Sequence, residues 1–119
     1  MFYRRKSYIV APEIVESFNK HFNETLLPTQ LKYGSRLIGR WMVPQTKGPV
    51  EIFAIWEYES FEEYEKIEEK VRSDQAHVER VKAWYDQHGG REHVWKHYLL
   101  EVKNEQIVST VVKENSQAR

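Results

Sequence analysis

Four aromatic residues, Tyr8, Trp41, Trp56 and Tyr58, stand close in sequence to three cations, Arg4, Lys6 and Arg40. If they sit on neighbouring strands, alternate positions share a face and the rings can meet as the wall of one cavity. Such a wall suits a flat, hydrophobic organic molecule, with a polar rim supplied by Arg4, Lys6 or Arg40. The plainer reading is packing, because aromatic side chains bury large areas in cores and interfaces alike. One β-bulge would reverse which face a residue occupies. Glu57 is the carboxylate to watch: turned toward the interior, it would have a raised pKa and could serve as a general base, with Lys6 and Arg40 as companion catalytic candidates. Glu62, Glu63, Glu65, Glu68 and Glu69 read instead as a solvated helix face, supported by Lys66 and Lys70.

The histidines offer acid–base or ligand chemistry near neutral pH. His93 and His97 fall within a stretch, Glu92 to Val102, that reads as a strand. On a strand they would lie roughly 13 Å apart at ~3.3 Å per residue, too far to share a metal, so no metal site is expected. His21 and His88 read as solvated helix positions, with His88 near a helix C-terminus where the dipole favours its charged form. His77 follows Ser73-Asp74 and reads as a surface or capping residue. The chain has no cysteine, which excludes disulfides, Cys-ligated zinc and thiol chemistry. A Gly-rich phosphate loop and a Ser-centred nucleophile elbow are also missing.

Elements must position these groups within 119 residues, enough for one modest core. Eighteen basic and eighteen acidic residues cancel, which argues against nucleic-acid binding. With no run near the ~20 apolar residues of a membrane span, the chain reads as cytoplasmic. Phe2 to Val10 is a strand by its Tyr, Ile and Val content. Pro12 opens a helix carrying Ile14, Phe18, Phe22 and Leu26 at helical spacing, and Pro28 bends or ends it. Strands follow from Arg36 to Val43 and from Val50 to Glu59. Ser60 with Glu63 caps the next helix, Ser73 caps another, and Gly89-Gly90 stops it. The domain is read as residues 1–103. The tail, 104–119, holds a β-prone run from Ile107 to Val112 and a frayed end, ENSQAR.

This order, β-α-β-β-α-β, is the ferredoxin-like α+β arrangement: a four-stranded antiparallel sheet with helices on one face. Along the third strand Ile52, Ala54, Trp56 and Tyr58 alternate with Phe53, Ile55 and Glu57, so both faces are largely apolar. A strand apolar on both sides must be covered on both sides. The expectation is a homodimer packed sheet to sheet, with a cavity lined by strand residues.

FYRRKSYIV, LLPTQLKYGSRLIGRWMV and IFAIWEYESFEEYEKI resemble the NIPSNAP family, within the dimeric α+β barrel superfamily. Leu27-Pro28, Lys32-Tyr33-Gly34, Gly39-Arg40-Trp41 and Trp56-Glu57-Tyr58 with Ser60 carry the likeness. The family's first strand often reads acid-x-Arg-x-Tyr, where this chain has Arg4, Lys6 and Tyr8, and its usual histidine two before the tryptophan is Ala54 here. The resemblance implies a dimer, and the expectation is a NIPSNAP-like dimeric protein that binds a small hydrophobic ligand or a protein partner, with no cofactor. Superfamily relatives imply an alternative, a cofactor-independent monooxygenase or isomerase for a small aromatic or polyketide-like substrate. Haem-degrading relatives imply a third, with His77 as axial ligand; their first-strand asparagine and helix tryptophan correspond to Lys6 and to Tyr64 or Glu65.

Overall fold

The computed structural model describes residues 1–112. Four strands, β1 (Phe2–Val10), β2 (Arg36–Met42), β3 (Val50–Tyr58) and β4 (Leu99–Ile107), form one sheet in the order β2-β3-β1-β4. Every neighbouring pair is antiparallel, which is the ferredoxin-like order. Between β1 and β2 run a 3₁₀ turn (Pro12–Ile14), α1 (Val15–His21), a π-helical turn (Phe22–Leu26) and α2 (Leu27–Lys32). Between β3 and β4 run α3 (Phe61–Ser73), α4 (Gln75–Gln87) and α5 (Arg91–His97). Among the described residues no helix is long and apolar enough to cross a membrane.

The alternation along β3 decides how these layers meet. Ile52, Ala54, Trp56 and Tyr58 are buried against the helices, whereas Phe53, Ile55 and Glu57 are half-buried on the open face. The core divides into two clusters along this strand. One gathers Val10, Ile14, Phe18, Val50, Ile52, Trp84, Tyr85, Val94 and Leu99; the other gathers Phe2, Phe22, Ala54, Trp56, Tyr58, Ile67 and Val71.

Three expectations change. Of the two outcomes expected at Pro28, a bend or an end, the end is excluded, because the preceding turn widens: the Leu27 N–H donates to the Phe22 carbonyl five residues back. A proline cannot donate to the carbonyl four residues back, and a π turn shifts the ladder so that the helical run continues to Lys32. The second cap comes from Asp74, whose side chain accepts from the His77 N–H at 3.1 Å; Ser73 is the last residue of α3. Ser60 caps α3 as expected, accepting from the Glu63 N–H at 3.1 Å.

The third correction concerns Glu92 to Val102. Residues Arg91–His97 are helical, and the strand starts only at Leu99 and continues to Ile107. Gly89 and Gly90 both take positive φ, 100° and 96°, turning the chain so that the Gly90 carbonyl accepts from the Val94 N–H. Burial of Val94 against the core then outweighs the β preference of Val94, Trp95 and Tyr98. Residues 108–112 of the tail form no regular element, and the ENSQAR end lies outside the described residues.

Trp56 packs on Phe22, ring centroids 6.2 Å apart, in the second cluster. Trp56→Ala should cost about 3–5 kcal/mol in urea unfolding. A loss under about 1 kcal/mol would show that the helix-facing assignment of β3 is wrong.

Candidate functional site

Between the two core clusters, under the helices, lies a cavity of about 120 Å³. Its position follows from the register. Lys6 of β1, Ala54 of β3 and Arg40 of β2 stand side by side on the helix-facing side of the sheet, with Asn104 of β4 beyond Lys6. Ala54 has no side chain long enough to reach the helices, so a gap remains between the two cations. Tyr8 and Phe18 wall one end; Phe22, Trp56, Tyr58 and Tyr64 wall the other.

Arg40 is held from several sides. Its Nη1–H donates to the Asn19 side-chain carbonyl at 2.7 Å, and its guanidinium lies 4.2 Å from the Phe22 ring centroid and 5.3 Å from that of Phe18. Its Nη2 is buried without a hydrogen-bond partner. Burial pulls the Arg40 pKa down to about 10, so the side chain still carries its charge at neutral pH. For Lys6 burial disfavours the charge, but the nearby Tyr8 and Glu68 outweigh it and hold its pKa above the ordinary lysine value. Arg4 at the rim donates to the Asn104 side chain and carbonyl at 2.9 and 2.6 Å. Burial pushes the Tyr58 hydroxyl up to about 12, keeping it protonated.

His77 closes the cavity from α4. It is 7% exposed, not the surface residue its sequence context suggests, and its Nδ1 is buried without a partner. Burial lowers its pKa, so it is neutral at pH 7. Its backbone N–H fixes the Asp74 carboxylate, which also accepts from the Tyr33 hydroxyl at 2.8 Å; these bonds hold the Asp74 pKa down to about 2. A haem does not fit here: about 120 Å³ is a little less than the roughly 150 Å³ cavity that takes a single benzene, far short of a tetrapyrrole.

Of the sequence candidates, Arg4, Lys6, Arg40, Tyr8, Trp56, Tyr58 and His77 converge on this cavity. Trp41 and Glu57 do not. The register shifts between Leu37 and Gly39, so Trp41 pairs with Phe53 on the open face, ring centroids 5.5 Å apart, and is 47% exposed. Glu57 shares that face, where it accepts from the Tyr3 hydroxyl at 2.8 Å and from Arg36 Nε at 3.0 Å. The Tyr3 bond, aided by Arg36, lowers its pKa, the opposite of what a general base needs. The cavity therefore lies between the sheet and its own helices, not between two sheets.

The remaining histidines also move. His21 is buried and stacks on Trp84 with centroids 4.5 Å apart and planes 8° from parallel. His88 Nε2 shares a 2.9 Å hydrogen bond with the Ser17 hydroxyl. His93 and His97, now one helical turn apart, have ring centroids 4.6 Å apart, so distance no longer separates them. Among the described residues, however, no group of three or more His, Cys, Asp or Glu side chains could hold a metal ion.

Residues the sequence reading missed are Phe18, Phe22, Gln30, Ala54, Glu68 and Asn104. Phe18, Phe22, Leu26 and Gln30 recur every four residues, and Gln30 at an otherwise apolar repeat was the available signal. Gln30 donates to Glu68 at 3.4 Å and accepts from the Ser35 hydroxyl at 2.6 Å.

Fold and cavity together define a ferredoxin-like α+β domain with a small pocket between sheet and helices. The chain belongs to the NIPSNAP family, whose model matches residues 3–89. No curated protein matches it. Its structure is similar to an uncharacterised NIPSNAP domain protein from Burkholderia xenovorans, at 19% identity and TM-score 0.65, covering 92% of this chain and 95% of the other. A NIPSNAP-like domain protein from the same organism aligns at 18% identity and TM-score 0.68, covering 92% and 84%. A NIPSNAP family protein from Agrobacterium tumefaciens aligns at 17% and 0.64, covering 92% of each chain. At such identities the likeness concerns the fold.

Burial, then the neighbouring His77 and His88, lowers the His21 pKa from 6.5 to about 4. The unfolded chain therefore binds a proton that the folded one refuses between those values, and stability falls as pH drops from 6.5 to about 4. His21→Gln should remove that part of the slope in denaturant unfolding followed by tryptophan fluorescence. An unchanged slope would contradict the buried, neutral assignment.

Proposed function

We propose that this protein binds a small organic molecule, with a ring-sized apolar body, in the cavity between the sheet and its helices. One observation carries the reading. Among the described residues, the two side-chain atoms that are buried without a partner, Arg40 Nη2 and His77 Nδ1, belong to residues lining the same cavity. An orphaned buried polar group costs free energy, and two on residues that line one space suit a ligand whose entry shifts these side chains and supplies the missing partners. The aromatic walls supply the apolar contact that most small-molecule sites use.

The working unit on this reading is a homodimer. The open face of the sheet carries Ile9, Phe53, Ile55 and the exposed Trp41, which no described element covers. Around this strip Arg5 and Lys103 alternate with Glu51, Glu101 and Glu105, and Arg5 already pairs with Glu51 at 3.2 Å. A mixed-charge rim around an apolar strip is self-complementary under a two-fold axis, as a second copy requires.

A catalytic reading draws on His77. Neutral at pH 7 with a free Nδ1, it could accept a proton from a bound substrate, which would make the protein a cofactor-independent oxygenase or isomerase with Lys6 and Arg40 steadying the developing charge. Binding alone needs fewer assumptions and comes first.

Native mass spectrometry of the purified protein tests both parts. The expected result is a dimer carrying a discrete small adduct, lost on Ala54→Leu, which fills the floor of the cavity. A monomer would contradict the dimer. A protein that stays adduct-free and takes up neither a neutral ring compound such as benzamide nor a charged one such as benzoate would contradict the cavity reading.

A further inference from the structure

The charge balance of the cavity says what kind of molecule belongs there. Three cations, Arg4, Lys6 and Arg40, line it against one carboxylate, Glu68. Neither Lys6 nor Arg40 is within ion-pair distance of any described carboxylate; the ion pairs found involve Arg5, Lys32, Arg36 and Lys82. Arg40 is the more telling of the two. Its guanidinium is stacked on Phe22, bonded on one side to a neutral amide, and left with a buried Nη2 that has nothing to donate to. Guanidinium groups are planar forks matched to carboxylates, and one whose nitrogen is drawn out of water, as Nη2 is here, is ordinarily paired.

The missing partner cannot come from the neighbouring strand. The residue opposite Arg40 on β3 is Ala54, and the residue opposite Ala54 on β1 is Lys6. Two long cationic side chains thus flank one short apolar one, on strands about 4.8 Å apart. An acidic residue at position 54 would have neutralised them; alanine leaves space instead.

Resting on the binding reading above, we infer that the ligand is an organic anion: a small carboxylic acid with an aromatic or alicyclic body, its carboxylate lying over Ala54 between Arg40 and Lys6. The ring occupies the space walled by Phe22, Trp56 and Tyr58. A second polar group on the ring reaches His77 Nδ1 across the cavity.

The test compares two probes of nearly equal shape, benzoate and benzamide, titrated into the isotopically labelled wild-type protein and followed by amide NMR shifts. Benzoate should bind about tenfold or more tighter than benzamide, the margin expected when hydrogen bonds gain a charged acceptor. Arg40→Gln should shrink that preference, and Ala54→Leu should block both probes. Equal binding of the two probes would overturn the anion assignment and leave the cavity reading standing. If neither probe moves the resonances of Ala54, Trp56 or His77, both fall. The wild-type comparison decides the matter even if a variant fails to fold.

Discussion

Strict alternation along Val50–Tyr58 is the constraint from which the rest follows. β3 lies inside the sheet, between β2 and β1, so its side chains have only the two faces to occupy. The helix-facing set must fill the interior unaided, and it does so unevenly: Ile52 anchors one core cluster, Trp56 and Tyr58 the other, and Ala54 sits at the division. Close packing normally closes such a seam, because voids forfeit dispersion contacts. Here the flanking residues are Lys6 and Arg40, whose charged ends resist being packed into apolar surroundings. The cavity is the outcome of that conflict.

The helices around the seam serve it in particular ways. The π turn at Phe22–Leu26 keeps the first helical run continuous past Pro28, so Phe18, Phe22, Leu26 and Gln30 all present themselves to the cavity. Widened turns of this kind recur at functional sites. On the opposite side Asp74 fixes the start of α4, and with it His77, through a charged cap joined to Tyr33. Both walls are thus carried on helices, which hold a site more firmly than loops would.

Much of this was legible in the residues. The alternation of β3, the Ser60 cap and the order of elements follow from local periodicity; Arg4, Lys6, Tyr8, Trp56 and Tyr58 do line one cavity, but under the helices and not between two sheets as expected. What failed to show depended on single-residue events. A bulge near Gly39 put Trp41 on the open face, and the same pleat put Glu57 there with Tyr3 and Arg36. The stretch Arg91–His97 looked β-prone, yet two positive-φ glycines and the burial of Val94 made it a helix. His21 and His77 looked solvated because burial by distant elements leaves no trace in a short window.

On the anion-binding proposal, Arg40 is a half-buried cation, with one nitrogen wholly buried, kept for a partner the chain does not supply. Replacing a half-buried charge that has no ion-pair partner with an apolar side chain of similar length should then stabilise the empty protein, despite the lost bond to Asn19. The most direct measurement is urea unfolding of ligand-free wild type against Arg40→Met. An increase of about 1 kcal/mol or more in the variant is the expected result. A clear loss of stability would show that Arg40 is a satisfied structural residue and would contradict the account.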